Sequence, residues 1–173
     1  MTLKTYQKCI NRLHSHDVWW GIIAVDLCAE MGKLCVHWSA LNELPDEPHK
    51  SKLSELEDKL DEDIGNILHI LARLARHADS SIDTLYSFAH RTNMGKDHTT
   101  NHYILRMVTS ASQFLTEQPY DCDGDYKKII SNNVILILHD LVNVLHSIDR
   151  YSSIEDIAAD NMSRLNDELK NAK

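Results

Sequence analysis

The fold class is decided by residues 64–75, which read Ile-Gly-Asn-Ile-Leu-His-Ile-Leu-Ala-Arg-Leu-Ala. Apolar residues recur there at steps of three and four, which is the period of one face of an α-helix. The stretch follows a run of acidic residues and leads into Arg76 and His77. This order of charges stabilises a helix, because the amino end of a helix is partially positive and its carboxyl end partially negative. The pattern predicts a long amphipathic helix over about 51–78.

The same period runs through most of the chain. Only five glycines and three prolines occur in 173 residues, so the sequence contains few helix breakers. Hydrophobic residues make up 43% and charged residues 25%, which is typical of a globular protein. We therefore predict an all-α bundle without β-sheet, with helices at about 2–14, 17–42, 51–78, 81–93, 99–117, 126–150 and 153–170.

The second predicted helix carries an apolar stripe that we expect to face the core. Its central residues follow one another at steps of three and four, and they are Val18, Ile22, Val25, Ala29, Gly32 and Val36. The residues Ile23, Leu27, Leu34 and Trp38 widen this stripe. Cys28 and Cys35 lie on the same helix and are expected on one packed surface. No C-x-x-C pair is present, so we expect all four cysteines to be reduced.

Charge and hydropathy disfavour two classes of function. The formal net charge is −8, and no cluster of Lys and Arg forms the basic face that a nucleic-acid-binding protein needs. The amino terminus has no apolar leader, and no stretch approaches the roughly 18 uninterrupted apolar residues of a membrane span. We therefore expect a cytoplasmic protein that binds neither nucleic acid nor a membrane directly.

The second half of the chain echoes the first. Residues 67–69, Ile-Leu-His, recur at 137–139, and a Ser-Ser-Ile follows each of them. The order of predicted helix lengths repeats as well. We expect a single all-α domain, 1–173, with candidate internal halves 1–95 and 96–173 packed as a pseudo-dimer. A coincidence of amphipathic patterning is the alternative.

Polar residues follow a helical period on the second and third predicted helices. On the second helix they are Asp26, Glu30, Lys33 and His37. On the third helix they are Glu62, Asp63, Asn66, His69 and Arg73. Facing helices that project acids into a bundle can hold Mg²⁺, which prefers oxygen ligands. A site of this kind usually serves phosphate chemistry.

Two short motifs on these helices resemble those of a known family. Residues 29–34, Ala-Glu-Met-Gly-Lys-Leu, resemble the Glu-Glu-x-Gly-Glu-Leu motif of the MazG-like, all-α nucleoside triphosphate pyrophosphohydrolases. Residues 63–68, Asp-Ile-Gly-Asn-Ile-Leu, resemble their Glu-Leu-Gly-Asp-Val-Leu motif. The similarity covers about residues 18–93. The resemblance implies a MazG-like helical bundle and the Mg²⁺-dependent hydrolysis of a nucleoside triphosphate to the monophosphate and pyrophosphate.

The resemblance also implies roles for individual residues. Glu30 and Asp63 match catalytic metal-binding acids, and Asn66 stands at a third ligand position, with Glu62 as a neighbouring acid. Lys33 stands at the fourth ligand position. An ammonium group repels Mg²⁺ and cannot coordinate it. Lys33, Trp38 and Arg73 are instead candidate substrate-binding residues, for a phosphate or a base.

These departures leave two functions open. The first is a Mg²⁺-dependent nucleotide pyrophosphohydrolase whose partner is a nucleoside triphosphate. The second is a catalytically degenerate protein of the same fold, whose helix faces bind a protein partner or a second copy of the chain as a homo-oligomer. The number of carboxylates at the four motif positions, two where the family has four, favours the second.

A minor alternative comes from three residues in the second half. His102, His139 and Asp140 are similar to the His…His-Asp pattern of HD-type metal-dependent phosphohydrolases. That family turns into a loop after His-Asp, whereas the apolar period here continues the helix beyond Asp140.

Overall fold

Seven α-helices account for most of the chain. The computed structural model describes residues 1–14, 18–45, 48–91, 99–116, 125–148 and 153–171. The helices are α1 (Leu3–Leu13), α2 (Trp20–Asn42), α3 (Lys50–His77), α4 (Ile82–Arg91), α5 (Thr100–Thr116), α6 (Asp125–Ile148) and α7 (Ile154–Asn171). No strand occurs in these ranges. The predicted all-α class is therefore confirmed, and each helix lies close to its predicted position.

Two helical hairpins form the centre of the fold. Helix α2 packs against α3, α5 packs against α6, and the hairpins meet through α2 against α5 and α3 against α6. The helix after the first hairpin, α4, packs on α6 of the second hairpin. The helix after the second hairpin, α7, packs on α3 of the first. Helix α1 covers one end of this arrangement by contacting α3, α4 and α7.

The long helices α3 and α6 bury matching positions. If His69 is aligned with His139, seven fully buried apolar residues of α3 fall on buried apolar residues of α6, and an eighth, Ala72, falls on the partly buried Val142. The pairs are Leu60 with Ile130, Ile64 with Val134, Ile67 with Ile137, Leu68 with Leu138, Leu71 with Leu141, Leu74 with Val144, and Ala75 with Leu145. The helices that follow also begin alike, because Ser81 caps the Thr84 N–H and Ser153 caps the Asp156 N–H.

The centre of the predicted core stripe of α2 is wrong, whereas Ile23, Leu27 and Leu34, which are expected to widen it, do face the core. Its residues Ile22, Val25 and Val36 are exposed by 52%, 55% and 65%, and Ala29 and Gly32 are exposed as well. The face that packs in the core consists of Ile23, Ala24, Leu27, Met31 and Leu34. Helix α2 is apolar on both sides, so its periodicity could not show which side faces the core.

One helix has the length and composition of a membrane span. Residues Tyr126–Ser147 of α6 have a mean hydropathy of 1.4, but 56% of that window is buried inside the fold. The central helix of a soluble bundle has the same properties. The helix is therefore weak evidence for a membrane segment.

Candidate functional site

The polar stripes of α2 and α3 meet along one side of the first hairpin. Glu30 lies mostly covered between the two helices, with 14% of its side chain exposed. Lys33 Nζ donates to Glu30 Oε1 at 2.7 Å, and Asn66 Nδ2 donates to Glu30 Oε2 at 3.2 Å. The hydrogen bond to Glu30 raises the pKa of the Lys33 ammonium. Both oxygens of this carboxylate are therefore occupied by side chains of the chain itself.

Helix α7 brings a third element to the site. Arg164 donates from Nη2 to Asn66 Oδ1 at 2.6 Å, and its Nη1 lies 3.6 Å from Glu62 Oε1. Contacts therefore run without interruption from Lys33 through Glu30, Asn66 and Arg164 to Glu62. We call these five residues the Glu30 network. It connects α2, α3 and α7 through one row of polar groups.

Asp63 has a partner of its own. The residue is only 3% exposed, and His37 Nδ1 lies 2.6 Å from its Oδ2 in a hydrogen bond. Burial raises the pKa of the Asp63 carboxyl, the His37 hydrogen bond opposes that shift, and the charges of Glu30 and Glu62 add to the increase. The four predicted metal-site residues thus lie on one face, and each contacts a donor or cation.

These contacts leave little room for the predicted metal. Mg²⁺ requires a near-octahedral shell of oxygen ligands. Among the described residues, no group of three or more His, Cys, Asp or Glu side chains is placed to hold a metal ion. Lys33 and Arg164 also place two positive charges within the network. The residues as arranged do not fit the Mg²⁺ that the resemblance implies.

The three candidate substrate-binding residues do not converge on one pocket. Lys33 pairs with Glu30, while Arg73 Nη1 lies 3.6 Å from Asp26 Oδ2 in a shallow groove of about 300 Å³. Trp38 Nε1 donates to Asn101 Oδ1 at 2.6 Å on the other side of α2. A nucleotide would therefore have to rearrange these side chains to contact all three.

Sequence patterns missed two members of this region. Arg164 stands nearly a hundred positions after Asn66, and nothing in the sequence indicates that α7 packs beside it. His14 was also missed, and its Nε2 lies 2.7 Å from His69 Nε2. Burial and the nearby charges of His14, Arg73 and Arg164 lower the pKa of His69 to about 4.

The residues of the minor alternative lie together on α5 and α6. Asp140 is fully buried, with His139 Nδ1 at 3.1 Å from Oδ1 and Arg106 Nε at 3.2 Å from Oδ2. Burial raises the pKa of Asp140, and His139, Arg106 and His102 oppose the shift. Helix α6 continues through this pair to Ile148, so the loop of the HD-type pattern does not follow it.

Comparison with protein families, with curated proteins and with solved structures finds no match to this chain. The site must therefore be interpreted from its own geometry.

Proposed function

We propose that this chain is a MazG-like helical protein without the family's catalysis, which acts in the cytoplasm by binding a protein partner. The observation that carries the proposal is the Glu30 network. Lys33 and Asn66 there donate to Glu30, a motif acid that a pyrophosphohydrolase would use for Mg²⁺, and Arg164 contacts Asn66 and Glu62. The polar residues then join helices instead of binding a metal.

The energetics of the network support this proposal. Mg²⁺ bound to Glu30 would compete with Lys33 and Asn66 for the carboxylate oxygens, and the cation would lie near the positive side chains of Lys33 and Arg164. Two unit charges 4 Å apart repel one another by about 4 kcal/mol at an effective dielectric constant of about 20. Lost hydrogen bonds would add to this cost. We therefore expect weak Mg²⁺ binding by the natural protein.

The helix arrangement supports the pseudo-dimer part of the proposal. The two hairpins bury equivalent residues. Helix α4, which follows the first hairpin, covers the second, and α7, which follows the second hairpin, covers the first. This exchange is expected if a duplicated chain packs its halves as two subunits would. In the second half, the positions equivalent to Glu30 and Asp63 hold Ser110 and Asn133, which are buried and uncharged. The second half therefore lacks even the two acids that the first half keeps.

The test measures metal binding and hydrolysis on the full chain. Mg²⁺ is titrated into the protein by calorimetry, and pyrophosphate release is followed with each nucleoside triphosphate. We expect no Mg²⁺-dependent release above that of a Glu30→Ala variant. Robust release that Glu30→Ala abolishes would reject the proposal and establish the enzyme.

A second outcome would locate activity elsewhere. Phosphohydrolysis that survives Glu30→Ala but is lost in His139→Gln would instead support the HD-type alternative. The Asp140 cluster of α5 and α6 would then be the place to search for the metal.

A further inference from the structure

The outer side of α2 carries a regular apolar stripe with no covering element among the described residues. Its residues are Ile22, Val25, Ala29, Gly32 and Val36, and we call them the outer stripe. The steps between them are three, four, three and four, which is the heptad spacing of a helix that packs lengthwise against another helix. A row of exposed Val and Ile is costly to leave in water and marks a contact surface.

The second half of the fold shows that the helix in this place does not require apolar residues on its outer side. Helix α5 occupies the equivalent place and buries matching residues, with Tyr103, Ile104, Met107, Ala111 and Phe114 in place of Ile23, Ala24, Leu27, Met31 and Leu34. In the same alignment, Ala29, Gly32 and Val36 correspond to Thr109, Ser112 and Thr116. The outer side of α5 is thus polar at four of the five equivalent positions, since His102 matches Ile22; the exception is Leu105, which matches Val25 and is 65% exposed. The fold itself does not explain the outer stripe.

The residues beside the outer stripe are complementary to those of a second copy. Asp26 and Lys33 flank it on the side of α3, and their side chains are 50% and 56% exposed. If a second α2 lies antiparallel, Ala29 opposes Gly32 of that copy and Val25 opposes Val36. The same register places Asp26 of each copy near Lys33 of the other, so two ion pairs form symmetrically. Lys33 can bridge Glu30 and the new Asp26 contact.

The centre of this register suits a close approach. Gly32 has no atom within 4 Å of the place where a Cβ would stand, so its outer surface is open. Ala29 and Gly32 are small, and Val25 and Val36 extend on either side. Small residues between larger ones let two helix backbones approach in the middle while the ends interlock. A parallel in-register contact would instead place each Asp26 level with Asp26 of the other copy and each Lys33 level with the other Lys33, which leaves the charges unmatched.

We infer that two copies of this chain associate through the outer stripe, with the two α2 helices antiparallel. The contact uses one surface twice around a two-fold axis, so it closes at a dimer and leaves no free stripe for further growth. The proposed contact shares Lys33 with the Glu30 network, but the inference does not depend on the lack of catalysis.

The first experiment measures the mass of the full chain by sedimentation and light scattering over a range of micromolar concentrations. We expect twice the 19.8 kDa of one chain. Ala29→Arg should raise the dissociation constant of the dimer by about 100-fold or more, because a large charged side chain replaces a methyl group at the centre. Thr109→Arg, at the equivalent exposed position of α5, is the matched control and should leave the mass unchanged. Circular dichroism checks that both variants are folded.

The second experiment determines the direction of the helices. Cys28 and Cys35 lie on the other edge of the outer stripe, and the antiparallel register places Cys28 of one copy opposite Cys35 of the other. With Cys9 and Cys122 replaced by Ser, one variant keeps only Cys28 and another keeps only Cys35. A short bis-maleimide should link a mixture of the two variants and should not link either variant alone.

Several results would overturn the inference. A chain that stays monomeric would overturn the inference, even if the chain binds a different protein or sediments with anionic phospholipid vesicles. A dimer that Ala29→Arg leaves intact would place the contact elsewhere. Efficient linking of the Cys28-only variant to itself would show a parallel contact. None of these results affects the hydrolysis test, because that test compares pyrophosphate release by the natural protein with release by Glu30→Ala.

Discussion

Gly65 lies directly against Asn161, at a point where α3 and α7 pack together. A Cβ added at Gly65 would stand 2.8 Å from Asn161 Nδ2 and 3.2 Å from its Cβ. Because Arg164 follows Asn161 by about one helical turn, the same close approach brings Arg164 to Asn66. The glycine of the second motif thus has a packing role here: it lets α7 reach the polar face of the first hairpin.

Gly65→Ala should destabilise the protein even though alanine favours helices. The helix propensity of alanine would contribute about 1 kcal/mol. Displacing Asn161 should cost about 1–3 kcal/mol and outweigh that gain, because Asn161 is held by a second contact. Urea unfolding measures the difference. Gly32→Ala is the matched control, since its methyl group meets nothing within the chain, and it should stabilise the monomer at low protein concentration. Equal effects of the two substitutions would contradict the packing role.

Tyr6→Phe should cost about 1–3 kcal/mol of unfolding free energy. The Tyr6 hydroxyl donates to Asn161 Oδ1 at 2.7 Å, and both residues are buried. Removing the hydroxyl leaves a buried acceptor without its donor. A double-mutant cycle with Asn161→Ala isolates the pair and should give a coupling energy of about 1 kcal/mol. Strictly additive effects would show that the hydrogen bond contributes nothing.

The helices could be predicted from the sequence because their amphipathic period is local. The side of α2 that faces the core could not, because Ile22 and Ile23 are equally apolar and only the packing of α3 and α5 distinguishes them. The site was predicted in part. Its α2 and α3 members have helical spacing, but Arg164 reaches Asn66 only through the tertiary packing of α7. A single sequence contains no signal for such a contact.

His69 should contribute a loss of stability as the pH decreases from about 6.5 to about 4. Its folded pKa of about 4 lies below the ordinary value of 6.5. Between these values the unfolded chain therefore binds a proton that the folded chain does not. The contribution is at most roughly 3 kcal/mol. If His14 and His69 were both protonated, the hydrogen bond between their Nε2 atoms would be lost, because neither nitrogen could accept it.

The measurement compares urea unfolding of the natural protein and His69→Gln between pH 4 and pH 7.5. His69→Gln should lose part of the pH dependence. The raised pKa values of Asp63 and Asp140 act in the opposite direction, so only the difference between the two proteins reports on His69. His49→Gln, at an exposed position, is the control and should keep the natural slope. An unchanged slope in His69→Gln would show that His69 titrates normally in the folded protein.

Lys33→Glu combined with Asn66→Asp should convert the Glu30 network into a Mg²⁺ site. The double variant removes both donors to Glu30 and places two additional carboxylates at the motif positions, with Asp63 beside them. Without metal these acids repel one another, so the variant should unfold at a lower temperature than the natural protein. Mg²⁺ at about 100 times its dissociation constant would restore about 2.7 kcal/mol, a rise of several degrees in Tm.

The natural protein should show no such rise, and neither should Lys59→Glu, which changes a lysine of α3 away from the network. The opposite result would be a Mg²⁺-dependent rise in the Tm of the natural protein that the double variant loses. It would mean that Lys33 and Asn66 support a metal site, because a site that they block would gain affinity for Mg²⁺ when they are replaced.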